Sequence, residues 1–199
     1  MGFFNKADVL VLADNNVEWI SVKKFVASFN QIDKRRVDNF ARLWNMPDNV
    51  VETLRMYCGE KGHQPDDDSR VYRDRRRFMI TELDRDRQDA ILKFLDRNKR
   101  RIVRDVIAGS GKAAARWMLL VEEHQDRPNR SAILPIDTVV RHCIGPALVT
   151  KQGNLRLGKI TIQRKGGDAG KDTAQMLQFK FSPKDLFEIE ESCITTSRG

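Results

Sequence analysis

The sequence predicts an α/β or α+β protein, with a helical N-terminal region followed by a small mixed sheet. Three observations carry this expectation. Apolar residues recur at helical spacing through the first third of the chain and again between residues 84 and 108. Beyond the glycines at 109 and 111 the period shortens to strand-like runs. Those runs are short and are separated by Gly, Pro and Asn turn signals. At 199 residues the chain can bury a sizeable core as one domain or two small ones.

Taken in order, "SVKKFVASF" places Val22, Phe25, Val26 and Phe29 at i, i+3, i+4 and i+7, one apolar face of a helix. Val37, Phe40, Ala41 and Trp44 repeat the pattern, and Val50, Val51 and Leu54 continue it in a further helix. Pro47 stops the earlier of these two, Asp48 suits the N-cap of the later one, and Gly59 can end it in a left-handed cap. The polar stretch "EKGHQPDDDSR" is the boundary candidate, near residues 60 to 70. Ile91, Phe94, Leu95, Ile102, Val103, Val106 and Ile107 then mark a long amphipathic helix over 84–108. "RWMLLVEE" reads as a buried strand, and "SAILPIDTVVRHCI" as a strand or turn into a short helix. Leu155 to Ile162 reads as one strand of a hairpin that turns at Gln152-Gly153-Asn154. "DTAQM" reads as a helical turn, "LQFKFSP" as a strand and "KDLFEIEES" as a closing helix.

The charge balance narrows the partners. Lys and Arg number 36 against 28 Asp and Glu, a net +8, which favours a polyanion, most often nucleic acid. Three widely spaced cysteines, Cys58, Cys143 and Cys193, predict no disulfide framework and a reducing cytoplasm. No apolar run approaches the roughly 20 residues that span a bilayer, and the first residues lack the features of a signal peptide. "GSGK" and "GGDAGK" miss the phosphate-loop pattern at its outer positions, so no nucleotide cofactor is expected. Cys58, His63, His142 and Cys143 lack zinc-ligand spacing.

Two constellations point to chemistry. Ala41, Asn45 and Val51 have the spacing of a helix-turn-helix: a small residue at the crossing, a residue tolerant of left-handed geometry, and an apolar anchor. That reading presents Asp48 to Tyr57 to a DNA groove, with Asn49, Glu52, Thr53 and Arg55 outward. It divides the chain into a helical DNA-binding region, 1–65, and a core, 70–199. The basic run holding Arg73, Arg75, Arg76 and Arg77 could follow a DNA backbone.

The other constellation is "GKITIQRKGGD", followed by "LQFKFSP". A strand ending in acid-x-Lys points positions i and i+2 at the same phosphate, one to hold a metal and one to assist the attacking water. Gln163-Arg164-Lys165 has that geometry with an amide in place of the acid, and a glycine-rich loop containing Lys171 follows. Residues 153 to 184 resemble the catalytic region of type II restriction endonucleases with the PD-(D/E)XK nuclease core. The resemblance implies Mg²⁺-dependent hydrolysis of double-stranded DNA at a specific sequence, by a homodimer on a palindromic site. It implies Lys165 as the motif lysine and Gln163 at the middle metal position. Asp137 would be the upstream metal ligand, with further help from Glu123, Glu122 or Glu52. Arg164 and Lys171, with Asn49, Thr53, Arg55 and Arg76, would contact DNA. The alternative is a non-catalytic helix-turn-helix regulator, which would bind DNA without a metal and leave it intact.

Overall fold

In this computed structural model the described residues are 6–13, 16–25, 30–65, 77–123, 129–165, 172–182, 186–187 and 189. They form an α+β architecture of two sheets and four α-helices. Strands β1 (Val9–Ala13) and β2 (Asn16–Phe25) make an antiparallel hairpin with Val9 opposite Ile20. Strand β4 (Trp117–Glu122) joins β2 in parallel, and β5 (Arg130–Pro135) closes this sheet antiparallel to β4. The second sheet is antiparallel throughout, in the order β3 (Asn30–Arg35), β9 (Leu177–Phe181), β8 (Ile160–Arg164), β7 (Leu155–Leu157) and β6 (Ala147–Val149).

Helices α1 (Val37–Trp44), α2 (Asp48–Cys58) and α3 (Arg85–Ala108) cover one face of the second sheet. Phe40 and Trp44 stack at 4.8 Å between ring centroids, and Phe179 of β9 meets both edge-on at 5.0 and 5.6 Å. These rings are essentially buried, the geometry aromatic quadrupoles favour. Trp44 also donates its indole N–H to Asp105 of α3 at 3.0 Å, which ties α1 to the long helix. Asp84 caps α3 by accepting from the Arg87 amide at 2.8 Å.

Several expectations change. "SVKKFVASF" begins in strand rather than helix: Ser21 to Phe25 are the last residues of β2. The apolar spacing is that of a helix, but β1 on one side and β4 on the other supply the backbone partners, and pairing overrides local pattern. The N-terminal 65 residues are therefore not wholly helical. Each sheet also takes strands from both sides of the 60–70 stretch, because β2 pairs with β4 and β3 with β9.

Leu155 to Ile162 is two strands, not one. Gly158 and Lys159 form a tight turn between them, with Gly158 at φ +57°. A Cβ there would lie 2.1 Å from the Cys143 carbonyl oxygen, so only glycine fits against the end of α4 (Ile136–Cys143). Asn45 adopts the left-handed conformation expected of it, φ 50°, and Gly59 ends α2 at φ +68°. Of the closing helix only Leu186, Phe187 and Ile189 fall within the described residues.

Candidate functional site

The residues that meet in a chemically competent way lie on the N-terminal hairpin. Asp8 stands immediately before β1, its amide donating to the Ile20 carbonyl at 2.8 Å, and this sets its side chain beside Ser21 on β2. One carboxylate oxygen, Oδ2, receives the Val22 amide at 2.7 Å, the Ser21 hydroxyl at 3.2 Å and the Lys23 ammonium at 3.4 Å. Ser21 and Lys23 project from the same face of β2 because alternate strand residues do so. The Lys23 side chain is only 16% exposed while that of Asp8 is 50% exposed. A largely shielded cation thus adjoins a carboxylate that solvent or a phosphate can reach. The other oxygen of Asp8 has no hydrogen-bond or ion-pair partner among the described residues.

Nearby, Lys6 donates to the Ile32 carbonyl at 2.6 Å and pairs with Asp33 at 3.1 Å. Burial pushes the Lys6 ammonium below the usual lysine value, against the opposing pull of Asp33. This pair fixes the chain that carries Asp8 onto β3. Glu122 ends β4 on the same sheet face as Ser21 and Lys23, two positions beyond Leu120, the residue paired with Lys23.

The sequence-predicted residues fall elsewhere. Asp137 opens α4 and is paired with Arg104, near the last turn of α3. Arg164 is tied to the segment ahead of that helix, donating to the Phe78 carbonyl at 2.6 Å and to the Met79 sulfur at 3.0 Å. Asp137 is thus engaged beside the last turn of α3, whereas Gln163 and Lys165 flank a residue anchored to the segment ahead of its first. Glu123 pairs with Lys24, on the opposite face of β2 from Lys23. Glu52 meets His63 at 3.1 Å. Among the described residues no three His, Cys, Asp or Glu side chains gather as a metal-holding group.

Gln163 and Lys165 do share a face, and Arg164 turns to the other, as alternation requires. The Arg164 guanidinium sits 5.4 Å from the Tyr57 ring and also reaches the Tyr57 carbonyl at 3.4 Å. Burial, then the nearby Arg77, pulls its pKa down, and burial pushes that of Tyr57 up. This arginine is a structural tie. Arg77 completes it, donating to the carbonyls of Lys165 and Ala174 at 2.9 Å each. Of the helix-turn-helix set, Asn49 is exposed, but Thr53 is fully buried and donates to the Asn49 carbonyl at 2.6 Å. Arg55 is committed to Asp38 at 2.7 Å and Glu60 at 3.7 Å. Arg76 and Lys171 lie outside the described residues.

Sequence reasoning missed Asp8, Ser21 and Lys23, although the signal was present. Asp14-Asn15 between alternating apolar runs is a hairpin signature. On the strand it implies, Ser21-Val22-Lys23 has the i, i+2 spacing sought at Gln163 and Lys165, with a serine in the acid's position.

Two sheets joined in this order define the class first: the fold is that of a restriction endonuclease. The structure is similar to that of the restriction endonuclease MspI in complex with its cognate DNA, with a TM-score of 0.56 and 12% identity. The match covers 82% of this chain and 57% of that one, so the chain spans little more than half the length of that protein. Residues 3–187 match the family model of the R.HinP1I restriction endonuclease, and the chain belongs to that family. No curated protein matches it. Among the described residues no helix is long and apolar enough to cross a membrane.

Proposed function

We propose that this chain carries a sequence-specific endonuclease that hydrolyses double-stranded DNA with a divalent metal, Mg²⁺ in the cell, as a cytoplasmic type II restriction enzyme. The observation that carries the proposal is the meeting of Asp8, Ser21 and Lys23 at the end of one hairpin. A hard cation prefers oxygen ligands, and Mg²⁺ settles for one or two carboxylates with water and substrate phosphate completing its shell. Asp8 supplies a carboxylate oxygen without a described partner, the Ser21 hydroxyl adjoins it, and Glu122 shares the sheet face. When bound, such an ion neutralises phosphate charge and lowers the pKa of its water.

The chain's own groups do the rest. Lys23, shielded from solvent, places a positive charge where the phosphorane-like charge develops, and the low local dielectric strengthens that interaction. Ser21 holds Asp8 in place. The hydrogen bond from the Val22 amide holds Asp8 in its orientation.

DNA would be read on the polar face of the second sheet, opposite α1–α3. Gln31, Lys180, Thr161 and Arg156 are in register across it, with Gln163 and Lys165 at the end of β8. Amide and ammonium groups suit base edges and phosphates respectively. A palindromic site would pair two copies about a two-fold axis.

Plasmid DNA, methylated and unmethylated, incubated with Mg²⁺ or with EDTA tests the reading. Discrete Mg²⁺-dependent fragments that disappear with Lys23→Ala support it. Intact plasmid with a mobility shift that persists in EDTA overturns it in favour of a regulator.

A further inference from the structure

Between the α1–α2 turn and α3 lies a groove of about 500 Å³, lined by Asn45, Asn49, Lys93, Arg97 and Arg101, all exposed. It opens on the outer side of the helical layer whose inner side packs on Phe179. The groove shares no residue with the Asp8–Lys23 site, and the Gln163 face lies across the sheet from it.

Its charge is one-sided. Lys93, Arg97, Arg100, Arg101 and Arg104 fall within one exposed arc of α3, since steps of three, four and seven residues keep to one helix face. Among the described residues, Lys93, Arg97 and Arg100 have no hydrogen-bond or ion-pair partner. The neighbouring acids are withdrawn. Asp105 is turned inward to the Trp44 indole, and Asp96 is engaged by Lys99 at 3.3 Å and by the Ala147 amide at 3.1 Å. A merely solvated helix face pairs its cations with acids at i±4, as Arg85 and Asp89 do at the start of α3. Arg101 follows this pattern with Asp105 at 3.9 Å and also donates to the Leu43 carbonyl, but Lys93, Arg97 and Arg100 do not. Lys93, Arg97 and Arg101 recur every turn, about 6 Å apart along the axis, within reach of successive phosphates. The exposed Asn45 and Asn49 on the facing wall offer amide donors.

We infer that this groove holds the sugar–phosphate backbone of a second duplex, because the face that reads the cut one lies across the sheet from it. The inference rests on the nuclease reading for its partner. The contact is one of charge, carries no sequence information, and falls with salt.

The test is binding in EDTA by the full chain, wild type against Lys93→Ala/Arg97→Ala/Arg100→Ala, using a duplex confined to the recognition site and one several turns longer. Fluorescence anisotropy is read across a salt series. Loss of three phosphate contacts is expected to flatten the slope of log affinity against log salt by about 2.7, at about 0.9 per contact. Flattening with the long duplex alone, at unchanged stoichiometry, overturns the inference in favour of a distal part of the same duplex. Loss of a second binding event with the short duplex identifies the second duplex. Mg²⁺-dependent cleavage of the short duplex at saturating enzyme stays unchanged. An unaltered slope and stoichiometry overturn the inference, as does an equal loss of short-duplex cleavage, which would put these residues in the catalytic cleft. Failure of the wild type to cut any DNA bears on the nuclease reading alone, because the binding series needs no metal.

Discussion

The ammonium of Lys23 and the carboxylate of Asp8 lie 3.4 Å apart at the end of a hairpin, although 15 positions separate them in the chain. Lys23→Ala is expected to lower single-turnover cleavage about 10²- to 10³-fold, the cost of removing one preorganised electrostatic group. Asp8→Asn should do the same, with DNA affinity in EDTA nearly unchanged. Equal loss of binding and cleavage would move both residues from chemistry to docking.

Gln163 and Lys165 share a strand face away from that pair. Gln163→Ala should weaken discrimination between cognate and near-cognate duplexes by about 1–3 kcal/mol, as for a base-reading side chain. Asp137→Asn removes an exposed pair with Arg104, worth about 0–1 kcal/mol, and cleavage should stay within twofold of wild type. A large cleavage defect in Asp137→Asn, measured on the same duplex, would restore it to the catalytic centre.

Arg164 joins β8 to the segment ahead of α3 through the Phe78 carbonyl and to α2 through that of Tyr57. Arg164→Met should destabilise the fold by about 1–3 kcal/mol for each carbonyl left without a donor. Urea unfolding reads this as a lower midpoint at constant slope.

Asp105 gives a pH signature. Burial raises its pKa above the usual aspartate value, although the Trp44 hydrogen bond pulls the other way. The folded state thus holds a proton that the unfolded state releases first, and stability from this group is lost as pH rises through the raised folded pKa. Asp105→Asn keeps an acceptor for Trp44 without the charge. Its advantage over wild type should appear near neutrality and vanish below about pH 3.8, the unfolded value. Thermal melts across that range measure it, and a pH-independent difference would contradict the assignment.

Legibility in the sequence follows the range of the interactions. Asn45 in the α1–α2 turn, the helix from Arg85 to Ala108, and the turn between β6 and β7 are fixed by neighbours in the chain and were readable there. β2 was not, because Val22 and Phe25 keep the i, i+3 spacing of a helix, and only β4, nearly a hundred residues away, imposes the strand. The candidate site inherits that failure. Lys23 hid in a presumed helix, while Gln163-x-Lys165 stood on a strand whose partners are close in sequence. The Gly158 turn was overlooked because its demand for glycine comes from the Cys143 carbonyl across a tertiary contact.

The pairing of β3 with β9 has a consequence for synthesis. A ribosome delivers Asp8, Ser21 and Lys23 well before Leu177 to Phe181, the strand that lies between β3 and β8. Until then both neighbours keep open edges, and the row running from Gln31 to Arg156 cannot align. A half-made chain can carry reactive groups yet lack the surface that would bring them a substrate, so competence arrives only once β9 has emerged.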